Sequence, residues 1–333
     1  MILNPSILAL SVSSILISLM TIYAACYGVL ILRRWDITSG SELQLSLERR
    51  TYLISTIVSY FLAFQLVSLF LYIQTADSIC HLFVGAMCAV GALTVNSFGY
   101  PTLLLKVATF MMAGLWLILN HTDNQGYDYP LIRAKYLLLL IMAPFILSET
   151  LVQGIYFLGL KPDIITSCCG SLFSQSSRGI ASEILAMPSI PAKILFYASM
   201  LATFTAGIRL FMNGKGGYIF AGLSGITFVV SITSIISFIS LYFYEMPSHH
   251  CPFCILQKEY NYVGYPLYTL VLSGTVTGLA VGLLQRFCKK ESLKNIIPEI
   301  QRKLVVATLV LFLVFTLIVS GQILFSSFKL EGY

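Results

Sequence analysis

Residues 304–325 read LVVATLVLFLVFTLIVSGQILF, a run of twenty-two residues without a charged side chain. A helix needs about 20 apolar residues to cross the hydrocarbon core of a bilayer. The whole chain has this character, since 57% of its 333 residues are hydrophobic and 10% are charged, against about 25% charged residues in a soluble domain. The composition therefore predicts an all-α polytopic integral membrane protein in contact with membrane lipid.

Nine segments of the chain are long and apolar enough to form such helices. Turn-forming or polar stretches separate them, such as Asn213-Gly214-Lys215-Gly216-Gly217. The sequence predicts eight to nine hydrophobic helices, at about 7–32, 52–74, 81–98, 101–120, 135–160, 190–212, 217–244, 262–287 and 303–327. We expect three regions: an N-terminal membrane region at 1–130, a four-helix bundle at 131–290 and a C-terminal transmembrane helix at 291–333.

Basic residues are concentrated in a few connections and give the chain a net charge of +6. Because basic residues mark the cytoplasmic ends of membrane helices, the connections 161–189 and 245–261 are expected on the non-cytoplasmic face. Nine full crossings would put the first basic connection on the opposite side from the last. This favours a re-entrant segment within 81–120, the alternative being that the first basic connection breaks the rule. The charge is a topology signal, and we expect no nucleic-acid partner. The strongest cluster comprises Arg286, Lys289, Lys290, Lys294, Arg302 and Lys303.

The sequence Cys251-Pro252-Phe253-Cys254 is the segment with the most recognisable chemistry. A CxxC pair cycles between dithiol and disulfide, or its two thiolates hold a soft metal. His249 and His250 precede it, and a helix is expected to begin at Tyr262. Nearby cations and a helix N-terminus both lower a thiol pKa. Redox chemistry is the first hypothesis, with metal binding and a structural disulfide as alternatives.

The remaining cysteines divide into one adjacent pair and four isolated residues. Adjacent Cys168 and Cys169 could bond to each other only through a strained ring, so they suit exchange with a partner sulfur or capture of a soft metal. The isolated residues are expected to be small buried hydrophobes. They are Cys26, Cys80, Cys88 and Cys288.

Two ionisable residues fall inside predicted helices. Lys106 lies within 101–120 and Glu149 within 135–160. Charges at such depth are costly and usually face a partner or a polar cavity. The sequence leaves two interpretations open. Lys106 and Glu149 could form an ion pair, or they could belong to a proton path to a quinone.

Residues 251–258, CPFCILQK, followed by Tyr262 and Tyr265-Pro266-Leu267, resemble the active-site segment of the DsbB family. Over 135–287 the order of elements also resembles vitamin K epoxide reductase: a loop cysteine pair, two helices, then CxxC. The resemblance implies a bacterial inner-membrane oxidoreductase that passes electrons between an extracytoplasmic thioredoxin-like protein and a quinone. It implies thiol exchange by Cys168, Cys169, Cys251 and Cys254 on the non-cytoplasmic face, and quinone contacts by Gln257 and Lys258. Glu149, inside a predicted helix, is a further candidate for contact with a quinone. Lys258 stands where the family has arginine.

Two other functions remain open. The ligand set of a soft-metal or metal-cofactor site on the outer face could be His249, His250, Cys251, Cys254, Cys168 and Cys169, and zinc, copper(I) or mercury(II) would accept it. The chain could also be a structural subunit of a larger membrane complex.

Overall fold

The computed structural model describes residues 4–37, 39, 41–161, 189–247, 249–328 and 330. Throughout these residues the regular structure is helical, without strands, and eight helices are long and apolar enough to cross a membrane. Such helices satisfy every interior backbone hydrogen bond within themselves, as a bilayer requires. The predicted all-α polytopic membrane fold is confirmed. The first to eighth helices are Pro5–Arg34, Glu42–Leu82, Gly99–Asp123, Ile132–Leu158, Ser189–Asn213, Gly217–Tyr244, Gly264–Gln285 and Ile296–Phe325.

The predicted segment 81–98 does not form a spanning helix. It holds the end of a 3-10 turn at Cys80–Leu82, the short helix Ala89–Leu93 and irregular connections. At Gly99 the chain passes so close to this short helix that an added Cβ would lie 2.2 Å from the carbonyl oxygen of Leu93. The glycines and the Asn96-Ser97 turn break up an otherwise apolar stretch. Segment 101–120 lies inside the third helix, so the lower predicted count of eight is correct for the described residues.

Contacts between residues divide the chain into two compact units, which differ from the three predicted regions. The first unit comprises Met1–Thr75, Leu93–Lys161 and Arg286–Ile300, and the second comprises Ala76–Ala92, Pro162–Gln285 and Gln301–Tyr333. The assignment of roles to 1–130, 131–290 and 291–333 stays a prediction.

The core of the first unit is built from the inward faces of its long helices. Trp116 and Tyr136 are fully buried there, with Ile17, Leu62 and Met142 among their cluster. The indole Nε1 of Trp116 donates to the carbonyl oxygen of Lys135 at 3.0 Å, so the polar edge of a buried aromatic ring is satisfied. The opposite faces carry exposed apolar side chains such as Leu19 and Tyr60, which contact lipid.

Small residues on the seventh helix set the packing of the second unit. An added Cβ would lie 2.3 Å from Ser224 Oγ at Gly278, 2.5 Å from Ala221 Cβ at Gly282 and 2.8 Å from the Phe312 ring at Gly274. Such glycines let membrane helices approach closely, so the seventh helix packs closely against the sixth and the eighth. The sixth helix also contains a π-helical turn at Ile235–Ile239, a feature that often lies beside functional sites.

Candidate functional site

Three cysteines converge in the second unit. The Sγ atoms of Cys88, Cys251 and Cys254 all lie within 4.8 Å of one another, and those of Cys88 and Cys251 are 3.7 Å apart. That separation is a contact, since a disulfide bond is about 2.05 Å long. Cys88 and Cys251 are completely inaccessible, and Cys254 is 6% exposed. We call these three residues the cysteine cluster. It joins the predicted CxxC pair to a cysteine 163 positions earlier in the chain.

The CxxC segment lies in a turn that leads into two short 3-10 turns, ahead of the seventh helix. A 3-10 turn covers Cys254–Leu256 and a second one covers Lys258–Tyr260, while the seventh helix begins only at Gly264. The CxxC pair precedes this helix, as expected, but ten positions separate Cys254 from Gly264. Because a helix dipole acts mainly within its first turn, the dipole argument for a lowered thiol pKa loses its basis.

Two tyrosines hold the backbone around the cluster. The hydroxyl of Tyr244 donates to the carbonyl oxygen of Cys251 and accepts from the Ile255 N–H at 2.8 Å. The hydroxyl of Tyr268 donates to the carbonyl oxygen of Pro252 at 2.7 Å. Buried backbone groups are costly when unpaired, so these bonds stabilise the turn that presents both sulfurs inward.

Gln257 ties the CxxC segment to the segment that carries Cys88. Its Nε2 donates to Asp77 Oδ1 at 3.0 Å and to the carbonyl oxygen of Met87, the neighbour of Cys88, also at 3.0 Å. The sequence singled out Gln257 as a cofactor contact, and that role remains a prediction. These bonds hold the CxxC segment and the segment that carries Cys88 together beside the sulfurs.

The two histidines immediately precede Cys251 and are half-buried. The ring of His249 packs edge-on against Tyr244 with 4.7 Å between centroids, and His250 Nδ1 lies 3.3 Å from the carbonyl oxygen of Ile236 in the π-helical turn. Burial lowers the pKa of both His249 and His250. Both rings are therefore neutral at pH 7, the form that binds metals. Lys258 is exposed on its 3-10 turn.

Backbone strain accompanies the cluster. Glu245, Asn261 and Tyr262 have φ angles of 53°, 52° and 55°, a left-handed conformation that non-glycine residues rarely adopt. All three lie in the connection 245–263 that carries the CxxC pair. Strain of this kind persists where surrounding contacts over-determine the backbone, and it clusters at ligand-binding sites.

Glu149 belongs to the first unit and forms a buried ion pair there. Its Oε1 lies 2.7 Å from Lys106 Nζ, and its Oε2 accepts from Gln65 Nε2 at 2.7 Å and from Thr109 Oγ1 at 2.5 Å. The ion pair left open by the sequence is therefore formed. A second buried pair joins Lys135 and Asp123 at 2.7 Å. The role of Glu149 toward a quinone stays a prediction.

Cys168 and Cys169 lie outside the described residues, and their predicted exchange or ligand roles stay untested. The sequence does not identify Cys88 as a site residue and predicts only a small buried hydrophobe at that position. It is buried, but among sulfurs. The interruption of segment 81–98 by Gly85 and Asn96 was the available signal that this cysteine sits in a connection.

The chain matches no protein-family model, no curated protein and no solved structure, so its likeness to the DsbB and vitamin K epoxide reductase families rests on the residues quoted from its sequence.

Proposed function

We propose that this integral membrane protein binds a soft metal ion through Cys88, Cys251 and Cys254. The single observation that carries the proposal is the mutual approach of three buried sulfurs to within 4.8 Å. Thiolates are the ligands that select copper(I), zinc and related thiophilic ions. A redox pair requires two sulfurs, whereas a third at similar distance fits a coordination sphere.

The spacing and burial of the three sulfurs support the proposed metal site. With metal–sulfur bonds of about 2.3 Å, two thiolates on one ion are separated by roughly 3.8 to 4.0 Å. The observed 3.7 Å between Cys88 and Cys251 is close to that value. Burial keeps water and competing thiols from the cluster, and the bonds from Tyr244, Tyr268 and Gln257 hold the ligand-bearing segments in place.

The ligand count favours copper(I) over zinc. Structural zinc sites are almost always four-coordinate, and among the described residues the cluster supplies three thiols. Copper(I) is stable with two or three thiolates, so the cluster is sufficient for it. Zinc would need a fourth ligand, and neither His249 nor His250 belongs to the group of ligand atoms within 4.8 Å of one another.

Alternating crossings support the predicted orientation. If all eight helices cross, the connections after the first, fifth and seventh share one side, and these carry the basic residues around Arg33, Arg209 and Arg286. That side is the cytoplasmic one. Connections 83–98 and 245–263, with the cysteine cluster, then face the other side. We propose the bacterial inner membrane as the location.

A second candidate is the thiol-disulfide oxidoreductase that the sequence resemblance implies. It is favoured by the 3.7 Å contact between Cys88 and Cys251. The Cys88 thiolate would attack Cys251 Sγ in a Cys251–Cys254 disulfide, forming a Cys88–Cys251 bond and releasing the Cys254 thiolate. A thioredoxin-like dithiol would supply two electrons and two protons, and a quinone would accept them as quinol.

One experiment separates the two candidates. Full-length protein purified anaerobically and loaded with copper(I) is expected to retain about one equivalent, with three sulfur neighbours in the copper X-ray absorption spectrum. A protein that stays metal-free, or copper bound only by nitrogen and oxygen, contradicts the metal site. Metal-free protein with a Cys251–Cys254 disulfide, able to reduce a quinone analogue at the expense of a dithiol, supports the second candidate instead.

Gln257→Ala is expected to lower copper(I) affinity about ten-fold without removing a sulfur, because residues that orient metal ligands typically contribute 10- to 100-fold. Competition with a chromogenic copper(I) chelator measures the change. Glu259→Gln, at an exposed position on the next turn, is the matched control and should leave the affinity unchanged. Equal affinities for the Gln257 variant and wild type would show that the bonds to Asp77 and Met87 do not position the cluster.

A further inference from the structure

A cleft with one charged end and one apolar wall lies between the fifth and sixth helices, in the second unit. Its volume is about 890 Å³. Arg209, Asn213 and Lys215 line it near the turn that joins the two helices, and Ile219 and Leu223 line it farther along the sixth helix. The cleft is therefore amphipathic along its length.

The turn and the helix faces explain why the cleft stays open. Gly214 and Gly216 adopt φ angles of 66° and 106°, which lets the chain reverse within three residues. Cleft residues on the fifth helix recur at helical spacing, so they occupy one face. A different face, at Gly207, packs into the core, where an added Cβ would lie 2.8 Å from Leu309 and 2.9 Å from Phe220.

The charge at the turn is positive and uncompensated. Arg209 and Lys215 are both exposed, and neither takes part in the ion pairs Lys106–Glu149 and Lys135–Asp123. The sixth helix starts at Gly217, so its first N–H groups lack intrahelical acceptors and also favour an anion. The cleft thus offers two cations and a helix N-terminus to a negative group.

We propose that this cleft binds an anionic phospholipid, with the phosphate between Arg209 and Lys215 and an acyl chain along Ile219 and Leu223. The apolar wall favours a lipid over free phosphate, because free phosphate has no acyl chain to contact Ile219 and Leu223. Basic residues at a membrane surface attract anionic headgroups in this way. The site uses none of the residues of the cysteine cluster, so it can be tested independently of the metal proposal.

Native mass spectrometry of the full-length protein titrated with phosphatidylglycerol or phosphatidylcholine tests this site. We expect wild type to prefer phosphatidylglycerol by at least about five-fold, the effect of one basic residue near a charged lipid surface. Arg209→Gln/Lys215→Gln should abolish the preference, and Lys289→Gln/Lys294→Gln, with the same change of net charge at exposed positions, should retain it. No preference in wild type, equal loss in both double variants, or displacement of the lipid by inorganic phosphate would overturn the proposal.

Discussion

Replacing Cys88 by Ser is expected to lower copper(I) affinity by at least about 100-fold, as much as replacing Cys251 or Cys254. A hydroxyl oxygen is a poor ligand for a soft ion, and the loss of one thiolate leaves two. Since residues that only orient ligands contribute 10- to 100-fold, a ligand itself should contribute no less. Competition with a chromogenic chelator under anaerobic conditions gives the affinity of each variant.

The control for this variant is Cys80→Ser. Cys80 is also buried, in the same unit and eight positions earlier, but it does not belong to the cysteine cluster. Its substitution should leave the affinity within about two-fold of wild type, the usual context-dependence of such effects. If Cys88→Ser binds copper(I) as tightly as Cys80→Ser does, Cys88 is not a ligand and the three-sulfur site is excluded.

Lys106→Met is expected to destabilise the protein by about 3 to 5 kcal/mol, the typical loss when one partner of a buried ion pair is removed. Lys106 and Glu149 are both 1% exposed. Without the ammonium group, Glu149 keeps its bonds from Gln65 and Thr109 but holds an uncompensated charge in an apolar interior. Equilibrium unfolding in mixed micelles, followed by circular dichroism, measures the difference.

Removing both charges of the ion pair should restore most of the stability lost in Lys106→Met. In Lys106→Met/Glu149→Leu both charges are absent, and replacement of a complete buried pair by apolar groups is often neutral or stabilising. Lys294→Met, at an exposed position, serves as the control for the loss of a lysine. A double variant as unstable as Lys106→Met alone would mean that packing around Lys106 matters more than its charge.

The membrane helices could be read from the sequence because hydrophobicity and length decide them. Seven of the eight match a predicted segment to within about seven residues at either end, as the fifth, predicted at 190–212 and found at Ser189–Asn213, illustrates. The second helix begins earlier than predicted, at Glu42. This helix therefore includes Arg49 and Arg50, and charged side chains near a helix end can reach the membrane surface.

The candidate site was only half predictable. The CxxC pair is visible because its two cysteines are close in sequence, but Cys88 joins it through a contact across 163 positions, and no local pattern encodes such a contact. The ion pair of Lys106 with Glu149 was one of two possibilities that the sequence left open, because charges at such depth usually face a partner or a polar cavity. Its bonds to Gln65 and Thr109 depend on helix rotation, which composition does not determine.

The close packing at the glycines of the seventh helix limits how an ion could enter and leave the cysteine cluster. With Gly278 and Gly282 against Ser224 and Ala221, the sixth and seventh helices meet almost backbone to backbone, so they cannot slide apart without losing that contact along their length. If the cluster holds a metal ion as proposed, the ion would reach it through the connections that carry the cysteines and not between these two helices.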